Sequence, residues 1–434
     1  MMMQQRPLTL ASCWIGFLLA LLCVVGVGAE QTHLPTRVGP EFQVNTYTAD
    51  NQLNPAVAMD GAGNFVITWY SVGQDGSSAS IFAQRFDAQG TPVGSEFRVN
   101  DYTSSSQQLP AIAMNEVGQF VIVWRSLDQD DSQFGIFAQR FDAQGMRLGN
   151  EFQVNTLTAG NQISPVAAMD DAGNFVISWS SRERDGHAMD VLAQRFDAQG
   201  ARVGPEFPVN HVTRDSQLDP AIAMDGAGNF VISWSSRGQD GDAMGVFAQR
   251  FNAQGARVGP EFPVNTSRAG SQQGSAVSMD KSGNYVISWS SRDQDGSDWN
   301  IDGQRFDAQG TPLGGEFQVN THTHDSQQLP VNAINQAGHG VIAWCSRHQD
   351  GTGMGIFAQR FDAAGMPLGD EFQVNRFTTS EQASPSIAMN ETGHIVVAWH
   401  SQGQDGSGFG IFAQRFQLSD LDPETNGIAN ESSK

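Results

Sequence analysis

The sequence predicts an all-β fold: a seven-bladed β-propeller with four antiparallel strands per blade, closed by an N-terminal strand that completes the last blade. Three observations carry this reading. First, the segment EFQVN or a variant of it begins at Glu41, Glu96, Glu151, Glu206, Glu261, Glu316 and Glu371, and Trp69, Trp124, Trp179, Trp234, Trp289, Trp344 and Trp399 keep the same 55-residue spacing. Copies held in phase like this mean a stacked or radial repeat fold. Second, every copy contains four short runs of β-branched and aromatic residues bounded by turn residues, the pattern of a four-stranded antiparallel unit. Third, the ends complement each other. A lone fourth-strand segment, Glu41 to Asn45, precedes the first full copy, and the last copy stops at Phe416 without one. Joining the two closes a ring and covers two sheet edges, whereas a linear solenoid needs distinct caps.

In the first copy the strands are expected at Pro55 to Asp60, Asn64 to Ser71, Ser80 to Asp87 and Glu96 to Asn100. The turn Asp60-Gly61-Ala62-Gly63 has Asp at its first position and Gly at its fourth, which suits a tight type I hairpin. Asp87-Ala88-Gln89-Gly90 does the same between the third and fourth strands. The second strand is apolar on both sides (Phe65, Val66, Ile67, Trp69), as blades packed face to face require. The seven tryptophans are therefore read as core or interblade packing. Arg85, Glu41 and Asp75, with their equivalents, are read as a repeated system of ion pairs and hydrogen bonds, since an Arg fork can hold a carboxylate through two bonds. Gln52 and its equivalents are expected to tie the loop before the first strand to a neighbouring blade.

Residues 1–29 read as a signal peptide. Arg6 is their only charge, an apolar stretch follows from Trp14 to Val27, and Val27-Gly28-Ala29 is a small-residue cleavage pattern. A retained membrane anchor is the alternative, and a lipid anchor is disfavoured because Leu22 precedes Cys23. The expected organisation is then a lead-in over 30–40, the propeller over 41–417, and a polar, disordered tail over 418–434. A secreted location follows: extracellular, cell-surface or periplasmic. Of three cysteines only Cys345 lies outside the leader, so the fold must be held by core burial. Formal charge is −22. So acidic a chain repels nucleic acid and anionic membrane, which makes both poor partners.

The string EFQVNTYT…PAVAMD…GNFVITW…QDGS…IFAQRFDAQG resembles a bacterial family of tandem repeats found in secreted and cell-surface proteins. The likeness covers 41–416 and implies a propeller-like fold and an extracellular setting, with no defined activity. No Trp-Asp dipeptide ends a strand and no Gly-Gly pair follows one, which separates the chain from neighbouring propeller repeats.

Function must be sought where the repeat breaks its own pattern. The tight hairpins share one face of the ring and the longer loops, such as Thr46 to Asn54 and Val72 to Ala79, share the other; binding usually resides on such loops. Four consecutive copies carry Arg182, Arg237, Arg292 and Arg347 where the others have Val72, Leu127 and Gln402. That basic arc on an acidic protein suits an acidic sugar or a sulfate; pairing with loop Asp residues is the plainer account. The QDG loop is richest in blade five, where Asp293, Asp295 and Asp298, with Asp302 beyond, are candidate calcium ligands, because calcium takes six to eight oxygens. An Asx-stabilised turn is the alternative. His322, His324 and His348 are an alternative candidate set for a transition metal. No Gly-x-Ser-x-Gly, HExxH or phosphate loop occurs, and no residue points to catalysis. The leading expectation is a non-catalytic binding propeller for a glycan or other cell-surface polymer. A self-associating structural protein of an extracellular layer and a carbohydrate-active enzyme are the other two classes.

Overall fold

The computed structural model describes residues 34–182, 188–239, 241, 243–292 and 298–418. The predicted leader lies outside these residues, as does the tail beyond Leu418. The described chain forms seven four-stranded antiparallel sheets. In blade one the strands are Gln52–Met59, Phe65–Val72, Ala79–Phe86 and Phe97–Arg98. Blade seven takes Gln382–Met389, His394–Gln402 and Phe409–Gln417 from the chain's end and Thr36–Gln43 from its beginning, with Thr36 opposite Gln417 and Phe42 opposite Ala413. The predicted closure holds, with a strand that starts earlier than Glu41. Leu418 is still packed, its N–H donating to the Gly393 carbonyl at 3.0 Å. Among the described residues no helix is long and apolar enough to cross a membrane.

The core lies between blades. Val66, Ile81, Ala83 and Val99 of blade one pack with Phe120, Ile122, Trp124, Phe137 and Phe141 of blade two. The closing seam is built the same way, from Val396, Ala398, Ile411 and Ala413 against Phe65, Ile67, Trp69 and Phe82. All seven repeat tryptophans have 0% exposure, as expected of packing residues. Trp179 and Trp234 also donate their indole N–H groups to Gln162 and Gln217, each at 3.1 Å.

Two boundaries differ from the sequence expectation, each for a local reason. The first strand begins at Gln52 rather than Pro55, and it carries a bulge between Leu53 and Ala56. Asn54 is left-handed there (φ 52°) and Pro55 has no N–H to give the ladder, so pairing breaks and resumes within one strand. The fourth strand shrinks to Phe97–Arg98. Beyond it the Asn100 side chain accepts the Ile81 N–H at 2.8 Å, taking the place of a backbone partner.

The repeated arginines also depart from expectation. Arg85 donates to the carbonyl oxygens of Ala143 (2.8 Å) and Gln144 in the next blade, and Arg415 closes the circle on the Ala88 carbonyl at 3.0 Å. Six of the seven repeated arginines (Arg85, Arg140, Arg195, Arg250, Arg305 and Arg415) stitch neighbouring blades through backbone oxygens. The repeated Glu does likewise: Glu96 accepts from the Thr46 N–H (2.7 Å) and from the Gln74 amide. Gln52 donates to the Ala49 carbonyl at 2.8 Å within the connecting loop and accepts at 3.1 Å from Asn45, which in turn takes the Ile411 N–H of blade seven, so it ties the loop to the neighbouring blade as expected.

Candidate functional site

The first strands line the axis, and there they enclose a cavity of about 470 Å³ bounded by Leu109, Pro110, Asp219, Pro220, Leu329 and Pro330 among others. The bulges place Asn54, Leu109, Ser164, Asp219, Gly274, Leu329 and Ser384 at one level, all with positive φ. These residues differ in size and charge from copy to copy. They lie toward the long-loop face, just inside Gln52 and its equivalents. On the opposite face the tight hairpins converge. Lys281 of blade five reaches Glu116 of blade two at 3.2 Å, a bridge across the axis. Burial pulls the Lys281 ammonium down, but the Glu116 bond and the charges of Glu116, Asp171 and Glu391 raise it overall.

The arginine arc is where the sequence placed it, at the loop ends of four second strands, and all four side chains are exposed. The arginines do not share one role. Arg292 lies 3.7 Å from the Asp298 carboxylate and 5.9 Å from the centre of the Trp299 ring, which is the pairing expected of a loop Asp. For Arg182, Arg237 and Arg347 no side-chain partner occurs among the described residues. Trp299 is the one tryptophan of the propeller out of phase with the repeat, and that signal was available in the sequence. It is part-exposed beside the arc.

Asp293 and Asp295 fall outside the described residues. Asp298 accepts from the Ser326 hydroxyl at 2.8 Å in addition to its approach to Arg292. Asp302 stands in the middle of a third strand, opposite Trp289 and Gln318, at a position where the other blades carry Phe or Leu. There the shorter side chain borders a polar cavity of about 380 Å³ with Asn300, Glu316 and Gln318. Asp298 and Asp302 thus belong to different elements. In other copies the QDG carboxylate turns inward. Burial alone would raise the Asp75 carboxyl, but hydrogen bonds from Ser80 and Ser77 hold it below its ordinary range. Asp350 accepts from Asn375 at 2.8 Å and Gln373 at 3.1 Å. Gly355 and Gly410 make room for this: a Cβ there would collide with the carboxylates of Asp350 and Asp405.

The histidines divide. His322 and His324 meet edge to face at 5.8 Å, while His348 pairs with Asp325 at 3.5 Å. Among the described residues no group of three or more His, Cys, Asp or Glu could hold a metal ion. Cys345 is fully buried, which pushes its thiol up to about 12 and keeps it protonated.

No family model and no curated protein matches the chain, so the repeat-family resemblance rests on the quoted strings. Solved structures do match. A protein of unknown function from Dyadobacter fermentans aligns with a TM-score of 0.54 at 11% identity, covering 88% of this chain and 99% of its own. An ulvan lyase from a new family of polysaccharide lyases aligns at 0.55 and 13%, covering 90% and 100%. An α-L-arabinanase from Penicillium chrysogenum, bound to arabinobiose, aligns at 0.50 and 13%, covering 75% and 99%. At these identities the likeness shows the fold alone: this chain is a seven-bladed β-propeller made of tandem repeats.

Proposed function

We propose that the long-loop face binds an acidic glycan or a similar polymer in an extracellular or periplasmic setting, without catalysis. The observation that carries the reading is the arc. Arg182, Arg237 and Arg347 are exposed at one register position on a chain of charge −22. A guanidinium offers a planar fork that matches carboxylate and sulfate oxygens. Placement at one register on blades three, four and six suits a ligand with repeating charges, whose weak single contacts gain from multivalency. Trp299 adds a ring on which a sugar face can stack. Structural neighbours that act on ulvan and bind arabinobiose make a glycan a reasonable class for this scaffold.

The test is binding of uronate-bearing and sulfated polysaccharides, with a neutral polysaccharide as control, to the native protein and to the R182Q/R237Q/R347Q variant. Exposed charge contacts are individually weak, so removal of three should weaken acidic-polymer binding roughly tenfold or more. Equal binding by native and variant protein would remove the arc from the function.

A further inference from the structure

Each blade's second strand sends one side chain toward the bulge of the next blade, just behind the wall of the axial cavity. In five blades that residue takes the bulge N–H. Ser180 accepts from Asp219 at 3.1 Å, Ser235 from Gly274 at 3.0 Å and Ser290 from Leu329 at 3.2 Å; His400 faces the Asn54 N–H at 3.4 Å, and the Cys345 thiol meets the Ser384 N–H. Blades one and two carry Tyr70 and Arg125 instead. An arginine has no acceptor, so it cannot do this job.

What holds Arg125 is unusual for a cation in an acidic protein. It is half-buried, its guanidinium sits 4.4 Å from the centre of the Phe134 ring, and one Nη donates to Gln108 Oε1 at 2.7 Å. Its Nε is buried with no hydrogen-bond partner among the described residues. Among those residues no carboxylate lies within ion-pairing distance, although the chain has 46 Asp and Glu against 24 Lys and Arg. Burial lowers its pKa, and the neighbouring Tyr70 phenol opposes this only when it is itself ionised. A charge withdrawn from water without a counter-ion costs stability. Gln108, which orients the fork, directly precedes Leu109 and Pro110 of the cavity wall.

We propose that Arg125 and Tyr70 form an oxyanion-binding subsite at the rim of the axial cavity, taking a carboxylate or sulfate group carried on a sugar. The ligand supplies the counter-ion that the fold omits, while Phe134 and Gln108 preset the direction of the fork. The subsite rests on the reading of the long-loop face as a glycan surface and adds to it a deeper, single-charge contact on blades one and two, opposite the arc.

Thermal unfolding in the R182Q/R237Q/R347Q background tests the subsite apart from the arc. Sodium sulfate and sodium glucuronate are each compared with sodium chloride at matched ionic strength. The expected result is a saturating rise in Tm with at least one of the two; sulfate alone or glucuronate alone identifies the group recognised. Arg125→Met should abolish that rise while melting no lower than its parent, because an apolar chain replaces an unpaired charge. Arg125→Lys, which keeps the charge and loses the fork, should bind at least tenfold more weakly. A rise that survives Arg125→Met, no rise with either anion, or a lower Tm for both Arg125 variants would each overturn the proposal. Anion binding that persists when polymer binding does not respond to the arc variant would sink the arc and leave this subsite standing.

Discussion

Acid should weaken the closing seam through His400. Its imidazole lies between blade seven and blade one, stacked edge-on against Phe409 at 5.0 Å and facing the Asn54 N–H. Its exposure is 8%, and burial alone lowers its pKa from 6.5 to about 4. The folded value lies below the unfolded one, so the unfolded chain takes up a proton that the native ring refuses. The resulting stability is fully present above pH 6.5 and is lost as the pH falls toward 4. At roughly 1.4 kcal/mol per pKa unit the loss is about 3 kcal/mol, a large part of a typical folding free energy of about 5–15 kcal/mol. Ser180, Ser235 and Ser290 occupy the same slot, which makes His400→Ser the natural comparison. Denaturant unfolding of both proteins across that pH window gives the difference, in which the titration of the carboxylates and other histidines cancels. The native protein should lose about 3 kcal/mol more than the variant. A constant gap between the two would show that His400 is not held neutral in the seam.

Two further outcomes test the architecture. Deleting residues 36–43 should destabilise the whole ring, because Arg37 donates to the Gln373 and Val374 carbonyls of blade six and Phe42 packs on Phe86 of blade one; an unchanged Tm would disprove that the closing strand ties three blades together. Trp234→Ala should cost about 3–5 kcal/mol, as for other buried aromatic truncations, and a cost near zero in denaturant unfolding would contradict its burial.

The ring was legible because its determinants are repeated and local. The tryptophan phase, the glycine turns and the unmatched strand at each end required no knowledge of contacts. The partners of the repeated arginines were not legible, because they are backbone carbonyls. Nothing in the string FAQRF shows that Arg85 reaches Ala143 and Gln144 rather than Glu or Asp. The inward turn of the QDG carboxylates was not legible for a related reason: it depends on Gly355 and Gly410, five residues further on, which leave space for Asp350 and Asp405. Trp299 could have been found by asking which tryptophan is out of phase. Arg125 could not, since its significance lies in a slot that five other blades fill with a side chain able to take the next blade's bulge N–H.

The distribution of departures from sevenfold repetition also bears on where function resides. On the tight-hairpin face the copies differ at the level of Glu116 and Lys281, and there the difference is consumed in a bridge across the axis. On the long-loop face the differences are left open: Asp219 and Leu329 border the cavity, three arc arginines have no described partner, and Arg125 is held without a carboxylate. A polyanion approaching this molecule meets a repulsive field, because net charge is strongly negative. Salt at physiological strength confines that field to about 8 Å. Inside that distance the sign seen by a ligand is set by the side chains it touches, and among the described residues the long-loop face offers guanidinium groups not committed to a neighbouring blade. An acidic protein can therefore hold an acidic polymer if contact is made there, at short range, with each arginine fork acting on the oxyanion directly before it.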